Sequence, residues 1–231
     1  AKELMDENGG SVKSYGLDIR GAQDVDNTIN EIFEEGPIHG LVNNAAGNFI
    51  SRTQDLSHRG FDAIASIVFH GTFYVTHSVG RRWLELGMGG NIISILATWV
   101  WTGSPFVVPS AAAKAGVLAM TRSLAVEWGK YNIRFNAIAP GPFPTKGAWS
   151  RLMPPGFDDF EDNMKNKIPM KRFGERHELE NLASYLMSDG SAYINGEVIT
   201  IDGGEWLAGA GEFSDLNKLP DSMWKAMAER R

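Results

Sequence analysis

Residues 91–143 constrain the fold more than any other stretch. They run strand, turn, helix, strand and loop without a break long enough to change architecture. Residues 91–96 and 133–138 are short Ile-rich runs bounded by Gly and Pro, the pattern of strands buried on both faces of a parallel sheet. Between them, residues 110–127 carry few helix breakers, and Val117, Thr121, Leu124 and Trp128 recur at helical spacing on one face. Near the start of that helix, Ser110-Ala-Ala-Ala-Lys114 places a hydroxyl and an ammonium one turn apart on the same side. In a parallel α/β sheet that side faces the crevice beyond the carboxyl ends of the strands, where ligands bind.

The rest of the chain repeats the same alternation. Residues 12–17 read as a strand ending at Asp18-Ile-Arg20, and residues 24–35 as a helix with Val25, Ile29, Ile32 and Phe33 on its apolar side. His39-Gly-Leu-Val-Asn-Asn44 is a strand that stops at Ala45-Ala-Gly-Asn48, and residues 61–86 form a long helical pattern. Gly87-Met-Gly-Gly90 stops that helix. After the central unit, residues 145–167 are irregular and rich in Pro, Asp and Met, as in a loop covering a ligand. Residues 178–186 are helical, 197–201 form the last strand, and Asp202-Gly-Gly204 ends it before a polar tail with a short helix near Met223. The N-terminal AKELMDENGG reads as the end of a helix followed by a Gly-Gly stop, so the chain is expected to begin inside an element. Alternating strands and helices with short connections predict one Rossmann-like, doubly wound parallel sheet in three layers over residues 1–231.

Composition narrows the function. There is no cysteine, which excludes disulfides, thiolate catalysis and cysteine metal sites. The five histidines show no metal-ligand spacing, so no metal site is predicted. A net charge of −6 argues against nucleic acid as a partner, and no apolar run reaches the length of a membrane span. With 43% hydrophobic residues and a mean hydropathy of −0.21, a single chain of this length has ample material for a core.

Four stretches, in this order and spacing, resemble the short-chain dehydrogenase/reductase family: Asn43-Asn-Ala-Ala-Gly47, the Lys114 helix, Pro140-Gly-Pro142 and Ile201-Asp-Gly-Gly204. Two departures stand out. The family opens with a strand and the Gly-rich turn T-G-x-x-x-G-x-G that receives a dinucleotide pyrophosphate. Nothing equivalent precedes Asp18, so an N-terminal β-α-β portion is expected to be missing. The family also has Tyr-x-x-x-Lys where this chain has Ser110-x-x-x-Lys114. The 2,4-dienoyl-CoA reductases of mitochondrial type use Ser-x-x-x-Lys. Asn43 to Phe49, Phe106-Val-Val-Pro-Ser-Ala, Thr145-Lys-Gly-Ala148, Ser150-Arg-Leu152 and Gly211-Glu-Phe213 are similar to that subgroup.

That resemblance implies an NADPH-dependent reduction of 2,4-dienoyl-CoA to 3-enoyl-CoA, in the degradation of unsaturated fatty acids, by a homotetramer. It implies a cytoplasmic protein in a bacterium or a mitochondrial-matrix protein in a eukaryote. It assigns Lys114, Ser110, Asn48 and Trp99 to the catalytic site. Asp18, Asn44, Ala45, Ala46, Lys114, Pro140, Gly141, Pro142 and Phe143 fall at cofactor positions, and Arg20, Phe49, Ser57 and Arg151 at acyl-CoA positions. Gly141 would let the backbone approach the nicotinamide closely. At Trp99 the subgroup carries a tyrosine that donates to the thioester oxygen. An indole N–H donates a hydrogen bond but supplies no proton near neutral pH, so Trp99 is either a substitute donor or an aromatic wall. Ser110 is either a site hydroxyl or a helix N-cap. Two rival functions remain: another short-chain reductase acting on a carbonyl or alcohol, and a silent homologue that binds acyl-CoA.

Overall fold

The structure is a computed structural model and describes Met5, residues 9–145 and residues 159–229. Four strands, β1 (Gly40–Asn43), β2 (Gly90–Ile95), β3 (Ile133–Pro140) and β4 (Val198–Ile201), form a sheet in the order β1-β2-β3-β4. Every pairing is parallel, with Gly90 opposite Ile133 and Ala137 opposite Val198. All four carboxyl ends therefore point to one edge.

The helices are α1 (Ala22–Glu35), α2 (His58–Ala65), α3 (Thr72–Leu86), α4 (Trp99–Thr102), α5 (Val108–Trp128), α6 (Phe160–Lys167), α7 (Arg176–Met187), α8 (Glu205–Ala210) and α9 (Asp221–Ala228). A six-residue π-turn, Ser66–Gly71, joins α2 to α3. The wider π spacing occurs where the 17–20 segment crosses the helix. A Cβ on Gly71 would sit 2.6 Å from the Ile19 side chain and 3.2 Å from its carbonyl oxygen. Gly87, in the left-handed region at φ 63°, ends α3, as expected of a C-terminal glycine.

Alternate residues of the central strands bury on opposite faces, which produces the three layers. Ile92 and Phe135 pack with Val25, Ile29, Val79 and Trp83 from α1 and α3. Leu96, Ala137 and Ala139 pack with Val117 and Leu118 of α5. Ile93 and Ile138 face the other way, onto Leu186 of α7. Fully burying side chains of this size contributes about 1.5–3 kcal/mol each.

Residues 12–17 do not form the expected strand. A strand exists only as part of a ladder, and among the described residues this segment has no ladder partner, because β1 pairs with β2 alone. Leu17 and Ile19 bury their apolar side chains against the α1–α3 cluster instead. The helix around Ser110 begins two residues earlier than the sequence predicts, at Val108.

Candidate active site

Lys114, in the second turn of α5, reaches the carboxyl end of β2. Its ammonium donates to the carbonyl oxygen of Leu96, the residue following β2, at 2.8 Å. Burial lowers the amine's pKa from 10.5 to about 8, because removing water penalises the charged form. One of its three donors is occupied, and two remain for ligand oxygens. Ser110 lies one turn earlier and is only 2% exposed. It is not the N-cap: that position is Val107, without a side-chain cap, and Ser110 is the third helical residue. A buried hydroxyl inside the first turn is therefore free of the capping role that the sequence left open for it.

Asn43, Asn44, Ala45 and Ala46 leave the end of β1. Asn43 donates its side-chain amide to Thr76 Oγ1 at 2.9 Å, fixing the strand end to α3. Asn44, Ala45 and Ala46 are exposed. Asn48 accepts the Phe49 N–H on its own Oδ1 at 2.9 Å. That bond orients the side chain and leaves its NH₂ group as the donor for a ligand. Trp99 opens α4, three residues after Leu96, whose carbonyl anchors Lys114. Its indole Nε1 is shut off from solvent and has no hydrogen-bond partner among the described residues. Such a buried donor costs about 1–3 kcal/mol while it stays unpaired.

The 140–143 segment leaves β3 alongside β4, and Gly141 N–H donates to Ile201 O at 2.9 Å. The tight neighbour of Gly141 is Asp202: a Cβ there would sit 2.7 Å from Asp202 Cβ and 2.9 Å from its Cα. Glycine at this position is thus required by the protein's own packing, independent of any ligand. The Phe143 ring fills the space a side chain on Gly174 would take. With Pro142, it lines a cavity of about 80 Å³ walled by Ile168, Met170 and Phe173.

The positions that the resemblance gives to acyl-CoA fall elsewhere. Arg20 donates through Nε to both carboxylate oxygens of Asp18, at 2.9 Å each, and holds that carboxyl down to about 2. Asp18 and Arg20, which the resemblance gives to cofactor and substrate, are each other's partners. A ligand phosphate on Arg20 must compete with Asp18. Both line a groove of about 610 Å³ with Arg59, Asp62, His70 and Tyr74, between the start of α1 and the π-turn. Ser57 caps α2, accepting the Gly60 N–H at 3.1 Å, and keeps its hydroxyl proton. Phe49 packs on Ile64, Val68 and Ala113, bridging α2 and α5. Arg151 lies outside the described residues.

Sequence reasoning missed two features. Arg59 and His70 enter the Asp18 groove, and the only signal for them was their position on the helix after Ser57. Trp206 meets Trp101, which the sequence reads as a pocket or core aromatic, with ring centroids 4.6 Å apart and ring planes tilted by 33°. The signal for Trp206 was an aromatic residue immediately after the Asp202-Gly-Gly turn.

A family model described as Enoyl-(Acyl carrier protein) reductase matches residues 1–205. A Caenorhabditis elegans protein named "Probable 2,4-dienoyl-CoA reductase 3 [(3E)-enoyl-CoA-producing]" is 43% identical over 207 residues, covering 89% of this chain and 67% of its own length. A Bacillus subtilis protein named as the (2E)-enoyl-CoA-producing counterpart is 42% identical over 203 residues, 86% of this chain and 78% of its own. The chain thus spans about two thirds to four fifths of the length of these relatives. Among solved structures, a short chain dehydrogenase from Bacillus anthracis superposes with a TM-score of 0.77 at 43% identity, covering 88% of this chain and 80% of that one. Levodione reductase gives 0.82 at 30% identity, covering 89% and 81%. With its parallel sheet, its Lys114 helix and these matches, the chain belongs to the short-chain dehydrogenase/reductase family of oxidoreductases.

Proposed function

We propose that the protein reduces 2,4-dienoyl-CoA thioesters to 3-enoyl-CoA with NADPH. The observation that carries this reading is the Ser110–Lys114 pair beyond the sheet ends, with a buried serine where carbonyl and alcohol reductases of the family place a phenol. Reduction of a carbonyl calls for an acid at the oxygen. Reduction of a conjugated thioester calls only for donors that stabilise negative charge spreading onto the thioester oxygen, with the proton arriving at carbon from water. The NH₂ group of Asn48 is a donor of that kind.

The residues present fit the nicotinamide-ribose half of such a cofactor. Lys114 has two donors left for ribose hydroxyls, and the backbone of Pro140 to Phe143 borders the same edge of the sheet. When bound, the cofactor supplies hydride to the distal carbon of the diene. Lys114 orients the ribose and adds positive potential to the site, Ser110 hydrogen-bonds within it, and Trp99 shields it from water. Arg20 and Ser57 serve the CoA end on the β1 side of the sheet. A likeness to a gluconate 5-dehydrogenase crystallised with NADP supports the choice of cofactor. The two named relatives differ in whether the product is the (2E) or the (3E) isomer. Protonation next to the carbonyl is our reading for this chain, because no phenol stands ready to deliver a proton farther along. Assembly as a homotetramer belongs to the same proposal, supported by Phe73 and Val126, which are 45% and 85% exposed on α3 and α5.

The test is NADPH oxidation in the presence of 2,4-dienoyl-CoA, with identification of the product isomer. Turnover to the 3-enoyl thioester, lost in Lys114→Ala, is the expected result. CoA binding without turnover would instead make the chain a silent acyl-CoA binder, and full activity in Lys114→Ala would overturn the mechanism.

A further inference from the structure

We infer that the Arg172–Glu178 ion pair positions the cofactor loop, by holding the 172–178 turn as a fixed seat for Pro142 and Phe143. This inference rests on the reading of residues 140–143 as the segment that borders the nicotinamide. That segment leaves β3 at Pro140, and its first half is tied to β4 by the Gly141 N–H, which donates to Ile201 O at 2.9 Å. Its second half rests on a different support. The Gly174 N–H donates to Pro142 O at 3.0 Å. A Cβ on Gly174 would sit 2.3 Å from Cε1 and Cζ of Phe143, so the ring lies against bare backbone there.

Contacts on both sides of Gly174 fix that seat. Arg172 donates from Nη1 to Glu178 Oε2 at 2.8 Å and from Nη2 to Glu178 Oε1 at 2.6 Å. Such a bidentate pair sets direction as well as distance. The same Nη1 donates to Phe173 O at 3.1 Å. Beyond Gly174, the Glu175 N–H donates to Glu178 Oε2 at 2.8 Å, within the capping box that starts α7. One carboxylate thus ties the chain before Gly174 and the chain after it to the first turn of α7. The Arg172 guanidinium above all, and then the Glu175 N–H, hold the Glu178 carboxyl down to about 2, so the pair stays charged at neutral pH.

The consequence of this pair is local. Its side chains are 43% and 31% exposed, and an ion pair at the surface adds little to global stability. What it governs is the conformation of the turn. Phe143, Phe173 and Gly174 wall the cavity of about 80 Å³, which gives the Phe143 ring space to move into once Gly174 is released. With the pair intact, Pro142 and Phe143 are already in place when a ligand arrives. Without it, that half of the loop must be ordered at each binding event, and the cost appears as lost affinity. The half tied to Ile201 is unaffected.

The experiment measures the NADPH dissociation constant by fluorescence, KM for NADPH and for 2,4-hexadienoyl-CoA, and amide hydrogen exchange at Gly174 by NMR. The proteins are the wild type, Arg172→Met, Phe143→Ala and the double variant. Arg172→Met is expected to speed Gly174 exchange and to weaken NADPH binding by about 5–10-fold, the equivalent of ordering one side chain on binding. KM for the thioester is expected to stay unchanged. Phe143→Ala is expected to weaken NADPH binding as well, and the double variant to fall short of the product of the two effects, because the ion pair acts partly through that ring. Unchanged Gly174 exchange or NADPH affinity in Arg172→Met, effects that multiply in full in the double variant, or equal rises in both KM values overturn this inference alone. NADPH binding weakened by Arg172→Met in a protein that does not turn over the thioester supports the inference while overturning the proposed reaction. A wild type that binds no NADPH overturns both. An Arg172→Met protein that fails to fold is replaced by Arg172→Gln, read by the same measures.

Discussion

Replacing Lys114 by Met should remove a specific pH dependence of stability. The amine's folded pKa lies at about 8 against 10.5 for a free lysine, and the cause is burial. Between those values the unfolded chain holds a proton that the folded chain has released, so stability rises with pH across that window. At pH 7.5 both forms are largely protonated. At pH 9.5 the folded amine is neutral, while the unfolded one keeps about nine-tenths of its proton. Integrated at about 1.36 kcal/mol per pKa unit, wild-type stability gains about 2 kcal/mol between pH 7.5 and 9.5 from this group. Lys114→Met lacks that gain. Other titrating groups are common to both proteins and cancel in the comparison, as does the cost of leaving the Leu96 carbonyl without its donor, which does not vary with pH. Urea unfolding of both proteins at the two pH values measures the difference. Equal changes in the two proteins would show that Lys114 is not held in a desolvated site and would refute the reasoning. Because the charged amine is the form that adds positive potential, kcat/KM is also expected to fall as pH rises through about 8.

Two further outcomes follow from packing and unpaired groups. Trp99→Phe removes a buried N–H that has no partner among the described residues. The relief of the unpaired donor offsets the cost of the smaller ring, so stability should change by no more than about 1 kcal/mol while dienoyl-CoA reduction falls; a loss above about 3 kcal/mol, read from the denaturation midpoint, would show that the indole N–H is not an unpaired group. Gly141→Ala puts a methyl group 2.7 Å from Asp202 Cβ. It should cost about 1–3 kcal/mol by overpacking, measured by the denaturation midpoint, and an unchanged midpoint would mean that the 140–143 segment yields freely.

Much of the architecture was legible because it is written in local periodicity. The Ile-rich runs at 91–96 and 133–138 are central strands, and the helical spacing of Val117, Thr121, Leu124 and Trp128 is the inner face of α5. The Ser110–Lys114 spacing sets two side chains on one face of a helix whatever surrounds it. Residues 12–17 show the limit of such reasoning. Their β-like pattern is real, but a ladder needs a partner strand, and here the apolar side chains pack on helices instead.

The sequence by itself therefore determined the order of strands and helices, the edge at which the site forms and the placement of Ser110 and Lys114 one turn apart, since each follows from residues within a few positions of one another. Only the tertiary structure decided that Lys114 is desolvated against Leu96, that Gly141 is required by Asp202, and that Trp101 meets Trp206. Desolvation depends on every element packed around a group. The Gly141–Asp202 and Trp101–Trp206 contacts join residues more than sixty positions apart, brought together by the pairing of β4 with β3 and by the short turns that leave the sheet at one edge.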